Sequence, residues 1–163
     1  MTRCLIRQAA ALLLAGAIFA LPAAASEPRP FARGSMQQII AEHPGRPLII
    51  NFWSTECAYC QEELALLSRV ARSHPDLRLV LVSTDLPQNA PLVAQFLVKR
   101  GFDPGQTWLF ADEYAERLRY DIDRKWYGEL PRTYLIGTRT ERKAVSGKIS
   151  AEQIERWLAE EGK

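Results

Sequence analysis

Cysteine and histidine are scarce in this chain, with three cysteines and two histidines among 163 residues. So few cysteines cannot build the disulfide framework that staples small secreted domains, and a structural zinc site of four protein ligands is hard to assemble. No apolar stretch has the ~20 residues that crossing a bilayer requires; the run from Ala9 to Leu21 has 13. Neither sign of charge dominates, at 21 basic against 19 acidic residues. The basic run that nucleic-acid binding needs is missing. Internal repeats, low-complexity tracts and an interdomain linker are missing too. What remains has the composition of a soluble globular protein, 47% hydrophobic and 25% charged. Its length fits one domain with a core large enough to fold unaided.

Residues 1–25 read as a separate unit. Arg3 and Arg7 form a positive n-region, the short apolar run follows, and Ala23-Ala24-Ala25 offers the small residues that signal peptidase reads. Cleavage is expected before Ser26, leaving residues 26–163 as the folded domain. An uncleaved segment would instead be an N-terminal membrane anchor. The run does not end in a small residue followed by cysteine, so a lipoprotein is not expected. Loss of the leader removes Arg3, Arg7 and Cys4, which leaves 19 basic against 19 acidic residues and two cysteines.

Beyond the leader, residues 26–34 (SEPRPFARG) read as a short extended lead-in. Ser35 is the expected N-cap of a helix over 36–43 that stops at Pro44-Gly45. Residues 47–53 (PLIINFW) form a β-branched and aromatic run typical of a buried central strand. A helix beginning at Cys57 and running to about His74 would place Leu64, Leu67, Val70 and Ala71 on one face. A second buried strand covers 77–83, followed by a helix over 89–100 that Gly101 stops. A short strand over 107–111 leads into a helix over 112–120 entered through Asp112. Residues 132–137 and 142–146 read as an antiparallel hairpin, and a last helix over 150–161 is capped by Ser150. The order β-α-β-α-β-α-β-β-α implies an α/β sandwich with parallel strands at its centre and antiparallel ones at one edge.

The chemistry gathers at Trp53-Ser54-Thr55-Glu56-Cys57-Ala58-Tyr59-Cys60, between a buried strand and a helix. A C-x-x-C at a helix start sets its first sulfur over unpaired backbone N–H groups and the positive end of the helix dipole. A thiolate is stabilised there, below the ~8.5 of a free cysteine. Cys57 would be the exposed nucleophile, and Cys60, one turn further in, would resolve the mixed disulfide. Two plainer readings compete. A purely structural disulfide closes too short a loop to constrain much chain entropy, and a zinc site would lack two of its four ligands. His43 and His74 fall at expected helix ends, as surface residues, so no metal is expected.

Together with Gly128-Glu129-Leu130-Pro131-Arg132-Thr133, the W-x-x-x-C-x-x-C segment resembles the thioredoxin superfamily. The resemblance implies a thioredoxin-like three-layer sandwich with a mixed central sheet and a helix and strand inserted before a cis-proline loop. It also implies that Leu130–Pro131 is a cis bond lying against the sulfurs, with the Leu130 backbone free to pair with an extended substrate. Within the superfamily, Asn51-Phe52-Trp53, the leader and the insertion look most like the exported TlpA/ResA/CcmG-like thiol–disulfide oxidoreductases. Those use the dithiol alone, with no cofactor, on exported disulfide-containing proteins such as apocytochrome c, recharged by a membrane electron donor of the DsbD/CcdA type. The implied compartment is the periplasm. In the family the tryptophan matching Trp53 flanks the site, so Trp53 is expected to pack beside the disulfide, and Trp53, Tyr59 and Leu130 are the expected substrate-binding residues.

Three positions depart from the pattern. Asn51 stands where thioredoxin has a buried aspartate, and Glu63, three residues after Cys60, becomes the candidate proton relay. A plain solvated residue, like Glu62, is the competing reading of Glu63. Leu64 replaces a proline often found after that acid. Ala58-Tyr59 between the cysteines lacks the usual proline, so the direction of electron flow rests on resemblance. Two other functions stay open: a thiol peroxidase, because Ser54 lies three before Cys57 although Ile50 replaces that motif's proline, and a non-catalytic thiol or copper-binding module.

Overall fold

Alternation along one strand sets the layers. In a computed structural model, which describes residues 26–139 and 141–161, strand β2 (Leu48–Trp53) is buried along its whole length. Leu48, Ile50 and Phe52 enter one hydrophobic cluster, while Ile49 and Trp53 enter clusters on the other side, as the two-residue period of a strand requires. A strand covered on both faces reads as a continuous apolar run, which is how PLIINFW reads.

Ten further elements surround it: β1 (Arg29–Phe31), α1 (Ser35–Ala41), α2 (Ala58–Ser73), β3 (Arg78–Ser83), α3 (Ala90–Val98), β4 (Trp108–Phe110), α4 (Ala115–Ile122), β5 (Arg132–Ile136), β6 (Arg142–Ser146) and α5 (Ala151–Glu161). The six strands form one sheet in the order β1-β4-β3-β2-β5-β6. The first four are mutually parallel, and β5 and β6 are antiparallel to their neighbours. Helices α1 and α4 cover one face through Met36, Ile39, Leu118 and Ile122. Helices α2, α3 and α5 cover the other through Leu64, Leu67, Val93, Leu97, Ile154 and Trp157. The expected three-layer sandwich is present, and α3 with β4 is the insertion ahead of the proline loop.

The sequence reading missed β1, which lies within the stretch taken as a lead-in. Three residues with a central proline show no alternation, but the proline costs the ladder nothing here. Arg29 N–H donates to Thr107 C=O at 2.8 Å and Ala111 N–H to Phe31 C=O at 2.9 Å, so Pro30 falls where no donor toward β4 is needed. Its neighbour Phe31 is buried, 5.6 Å from Phe52 edge to face and stacked on Phe110 at 5.4 Å.

Two helix starts also differ from expectation. Gly34, not Ser35, caps α1, with the positive φ of 83° that glycine tolerates; the Ser35 hydroxyl instead accepts from Ala32 N–H at 2.9 Å. Helix α4 begins at Ala115, and Asp112 holds only the turn before it, accepting from Tyr114 N–H at 2.9 Å. At α5 the cap is as expected: Ser150 Oγ accepts from Gln153 N–H, and the Gln153 side chain accepts from Ser150 N–H. The leader and Cys4 lie outside the described residues. Among those described, no helix is long and apolar enough to cross a membrane.

Phe52 is fully buried between Phe31, Phe110, Trp126 at 4.9 Å and Tyr134 at 5.8 Å. Phe52→Ala is expected to cost about 3–5 kcal/mol of stability. Urea unfolding followed by circular dichroism measures it as a drop in midpoint, and a loss below about 1 kcal/mol would contradict this account of the core.

Candidate active site

Parallel β2 and β3 end side by side, Trp53 opposite Ser83, at the edge of the sheet where antiparallel β5 begins with Arg132 opposite Phe52. Three loops therefore meet at one rim. The first carries the cysteines. Cys57 is the capping residue of α2, and Cys60 N–H reaches its sulfur at 3.1 Å. The two cysteines form a disulfide. Cys57 is half-buried, whereas Cys60 has no exposed surface. Of the pair, Cys57 is the partly exposed residue.

The second loop precedes β5. Leu130–Pro131 is a cis bond, as the resemblance implied. The stretch leading to it is pinned from several sides. Arg132 pairs with Asp123 at 2.7 Å and Glu129 at 3.4 Å and donates to Ser146 Oγ. Trp126 Nε1 donates to Glu129 C=O at 3.0 Å. Pro131 C=O accepts from Gly147 N–H, while the Leu130 backbone makes no hydrogen bond among the described residues. The Leu130 side chain, like Cys57, packs against the cluster that holds Trp53 and Cys60.

Of the expected substrate-binding residues, Tyr59 is 64% exposed, with Lys148 Nζ 5.9 Å from its ring centroid, and Leu130 is half-buried. Trp53 differs. It has no exposed surface and stacks on Phe96 at 5.0 Å, sharing the Cys60 cluster. Its link to the sulfurs is packing from inside. Trp53 Nε1 and Asn51 Oδ1, both buried on the α2 side, find no hydrogen-bond partner among the described residues.

Glu63 is not a solvated helix residue. It is 2% exposed on the inner face of α2. Oε1 accepts from Asn51 Nδ2 at 2.7 Å and Thr133 Oγ1 at 2.9 Å, and Oε2 accepts from Ile149 N–H at 2.8 Å. Burial pushes its carboxyl above the usual range, against the pull of those three donors and of Lys148. Glu62, the next residue back, is exposed and pairs with Lys148.

The third loop follows β3 and holds a residue that sequence reasoning missed. Asp85 is 8% exposed. Its carboxylate accepts from Thr55 N–H at 3.0 Å, Thr55 Oγ1 at 2.7 Å, Ser54 Oγ at 3.2 Å and Ser83 Oγ at 2.5 Å. One signal pointed there: an acid just past the C-terminal end of a buried strand, the edge where open α/β sheets place their sites.

Several solved structures share this fold. The chain is similar to the solved structure of DsbF from MTB, at 21% identity over 73% of this chain and 83% of that one, with a TM-score of 0.56. It is similar to a secreted Mycobacterium tuberculosis disulfide oxidoreductase homologous to E. coli DsbE, at 20% identity over 74% and 85%, TM-score 0.56. StoA from Bacillus subtilis matches at 24% identity over 71% and 84%, TM-score 0.54. The fold is thioredoxin-like. No protein-family model and no curated protein matches the chain by sequence. In this thioredoxin-like fold the parts of the site come from distant positions along the chain: Cys57 and Pro131 lie 74 residues apart, and the Glu63 cluster reaches from Asn51 to Ile149.

The raised Glu63 carboxyl has a consequence for stability. Its folded form holds the proton more tightly than the unfolded chain, so its contribution is complete at acid pH. That contribution falls as pH rises through the raised value. Denaturant midpoints measured from pH 4 to 9 should show wild type losing stability relative to Glu63→Gln as pH rises. A pH-independent difference between the two would contradict the assigned shift.

Proposed function

We propose that this protein is an exported thiol–disulfide oxidoreductase that acts as a reductase through Cys57 and Cys60. One observation carries the reading: the pair is disulfide-bonded at the start of α2, with Cys57 partly exposed and Cys60 sealed. In the reduced enzyme the Cys57 thiolate attacks one sulfur of a substrate disulfide and expels the other as thiolate, forming a mixed disulfide. Cys60, as thiolate, then attacks Cys57 Sγ and releases the second substrate sulfur. Two electrons pass to the substrate, and the enzyme is left with the disulfide seen here.

Supporting parts have their own roles. An extended substrate chain pairs with the open Leu130 backbone beside Pro131, with Tyr59 offering exposed apolar surface next to the partly exposed Cys57. Trp53 backs the sulfurs from inside. Glu63, carrying a proton at higher pH than an ordinary carboxyl, takes up and returns the proton that Cys60 loses and regains. The substrates are exported disulfide proteins, apocytochrome c among them, and a membrane donor of the DsbD/CcdA type restores the dithiol. The arginine-flanked leader supports export to the periplasm with cleavage before Ser26. The peroxidase reading loses support because the Ser54 hydroxyl is occupied by Asp85.

The test is a trap. Wild type should reduce insulin with dithiothreitol as donor, Cys57→Ser should fall to the uncatalysed background, and Cys60→Ser should retain clients as mixed disulfides through Cys57. Wild type that fails to reduce insulin, or a potential near about −120 mV, the strongly oxidising end of the range, would sink the reductase reading. Active wild type with an empty Cys60→Ser trap would reverse the assignment of the two sulfurs.

A further inference from the structure

The loop that delivers Cys57 has little to hold it besides Asp85. Between Trp53, the last residue of β2, and the first turn of α2 the chain runs through Ser54, Thr55 and Glu56. Within the loop there is one backbone bond, Cys57 N–H to Ser54 C=O at 3.2 Å, and one weak side-chain link, Glu56 N–H to Ser54 Oγ at 3.3 Å. Outside the loop, Asp85 supplies three anchors: Thr55 N–H, Thr55 Oγ1 and Ser54 Oγ. Asp85 is itself fixed to the end of β3, because its own N–H donates to Ser83 Oγ while that hydroxyl donates back to the carboxylate.

A neutral residue could tie such a loop without the cost of burying a charge. The charge has a second effect. At the start of α2 the backbone N–H groups and the helix dipole favour a Cys57 thiolate, and α2 has no acid in its first turn to oppose them. Other ionisable groups near the sulfurs are the exposed Glu56, the mutually paired Lys148 and Glu62, the buried Glu63, and Arg100, which sits over the Phe96 ring that stacks on Trp53. Among them Asp85 alone is a buried carboxylate bound to the residues immediately before Cys57.

We propose that Asp85 is a positioning residue of the dithiol, fixing the Ser54–Thr55 loop and holding on the segment that leads into Cys57 a negative charge that restrains the thiol's ionisation. The inference rests on reading Cys57 and Cys60 as a redox dithiol. A restrained thiolate disfavours the reduced enzyme and so biases the pair toward giving electrons away, which is the direction that Ala58-Tyr59 leaves undetermined.

Iodoacetamide alkylation of Cys57 in the reduced full-length protein, followed against pH by peptide mass, tests this. In Asp85→Asn the hydroxyls of Ser54 and Thr55 can turn to accept from the amide, so the loop stays linked while the charge is gone. The Cys57 pKa should then fall by about 0.5 unit or more, since nearby charges move a pKa by that order. Ser83→Ala touches the carboxylate from β3, not the cysteine loop. It leaves the charge less neutralised and should move the pKa the opposite way. Loosening of the loop would not give opposite signs. An unchanged pKa in Asp85→Asn, or shifts of the same sign in both variants, overturns the proposal. Alkylation does not depend on turnover. Opposite shifts in a protein that cannot reduce insulin would uphold Asp85 and sink the reductase reading, and an active protein without them would do the reverse.

Discussion

One buried carboxyl group joins the cysteine-bearing helix to three other segments of the molecule. Glu63 sits on α2, yet its donors come from β2, from β5 and from the turn into α5. A buried carboxyl with unmet oxygens is costly, so each of those segments is constrained to arrive in register. That register puts the start of β5, and with it Pro131, at the same sheet edge as Cys57. The proton chemistry proposed for Glu63 and its structural role have one cause, which is burial against the sheet one helical turn beyond Cys60.

The site is an assembly of strand ends under two kinds of control. Burial separates the sulfurs: α2 turns Cys60 inward against Leu64 and Trp53 and leaves Cys57 half-open at the cap. Hydrogen bonding fixes the loops. The Arg132 fork holds the stretch before the cis-proline, and Asp85 holds the stretch before Cys57. Both anchors join a loop to a neighbouring strand, so the spacing between loops follows from the sheet and does not depend on the loops' own stiffness. Among the described residues, Asn51 Oδ1 and Trp53 Nε1 are left as an unpaired acceptor and donor on the α2 side of β2. Such orphans are rare in packed interiors, and these two lie on the strand that leads directly into the loop carrying Cys57.

Much of this was legible in residue order. The buried strand PLIINFW, the amphipathic helix after the cysteines and the Ser150 capping box carry strong local signals, and each element formed where its pattern placed it. Strand β1 carried none, because three residues with a proline gain strand character only from the β4 edge beside them. Ser35 and Asp112 had the right chemistry for caps, but a glycine with positive φ and a later helix start won locally. Trp53 was legible as a flank of the disulfide, but that Phe96, 43 residues later in the chain, seals it inside was not.

By itself the sequence determined the chemistry on offer: a dithiol at a helix start, a proline before a strand, and an acid one turn past the second cysteine. These are short-range facts, fixed by spacings of a few residues and by the geometry of a single helix or strand. Only the tertiary structure decided that Glu63 is buried and not solvated, and that Asp85, 28 positions after Cys57, binds the loop before it. Burial and the pairing of distant polar groups depend on which surfaces the sheet brings together, and no local pattern in the chain encodes that.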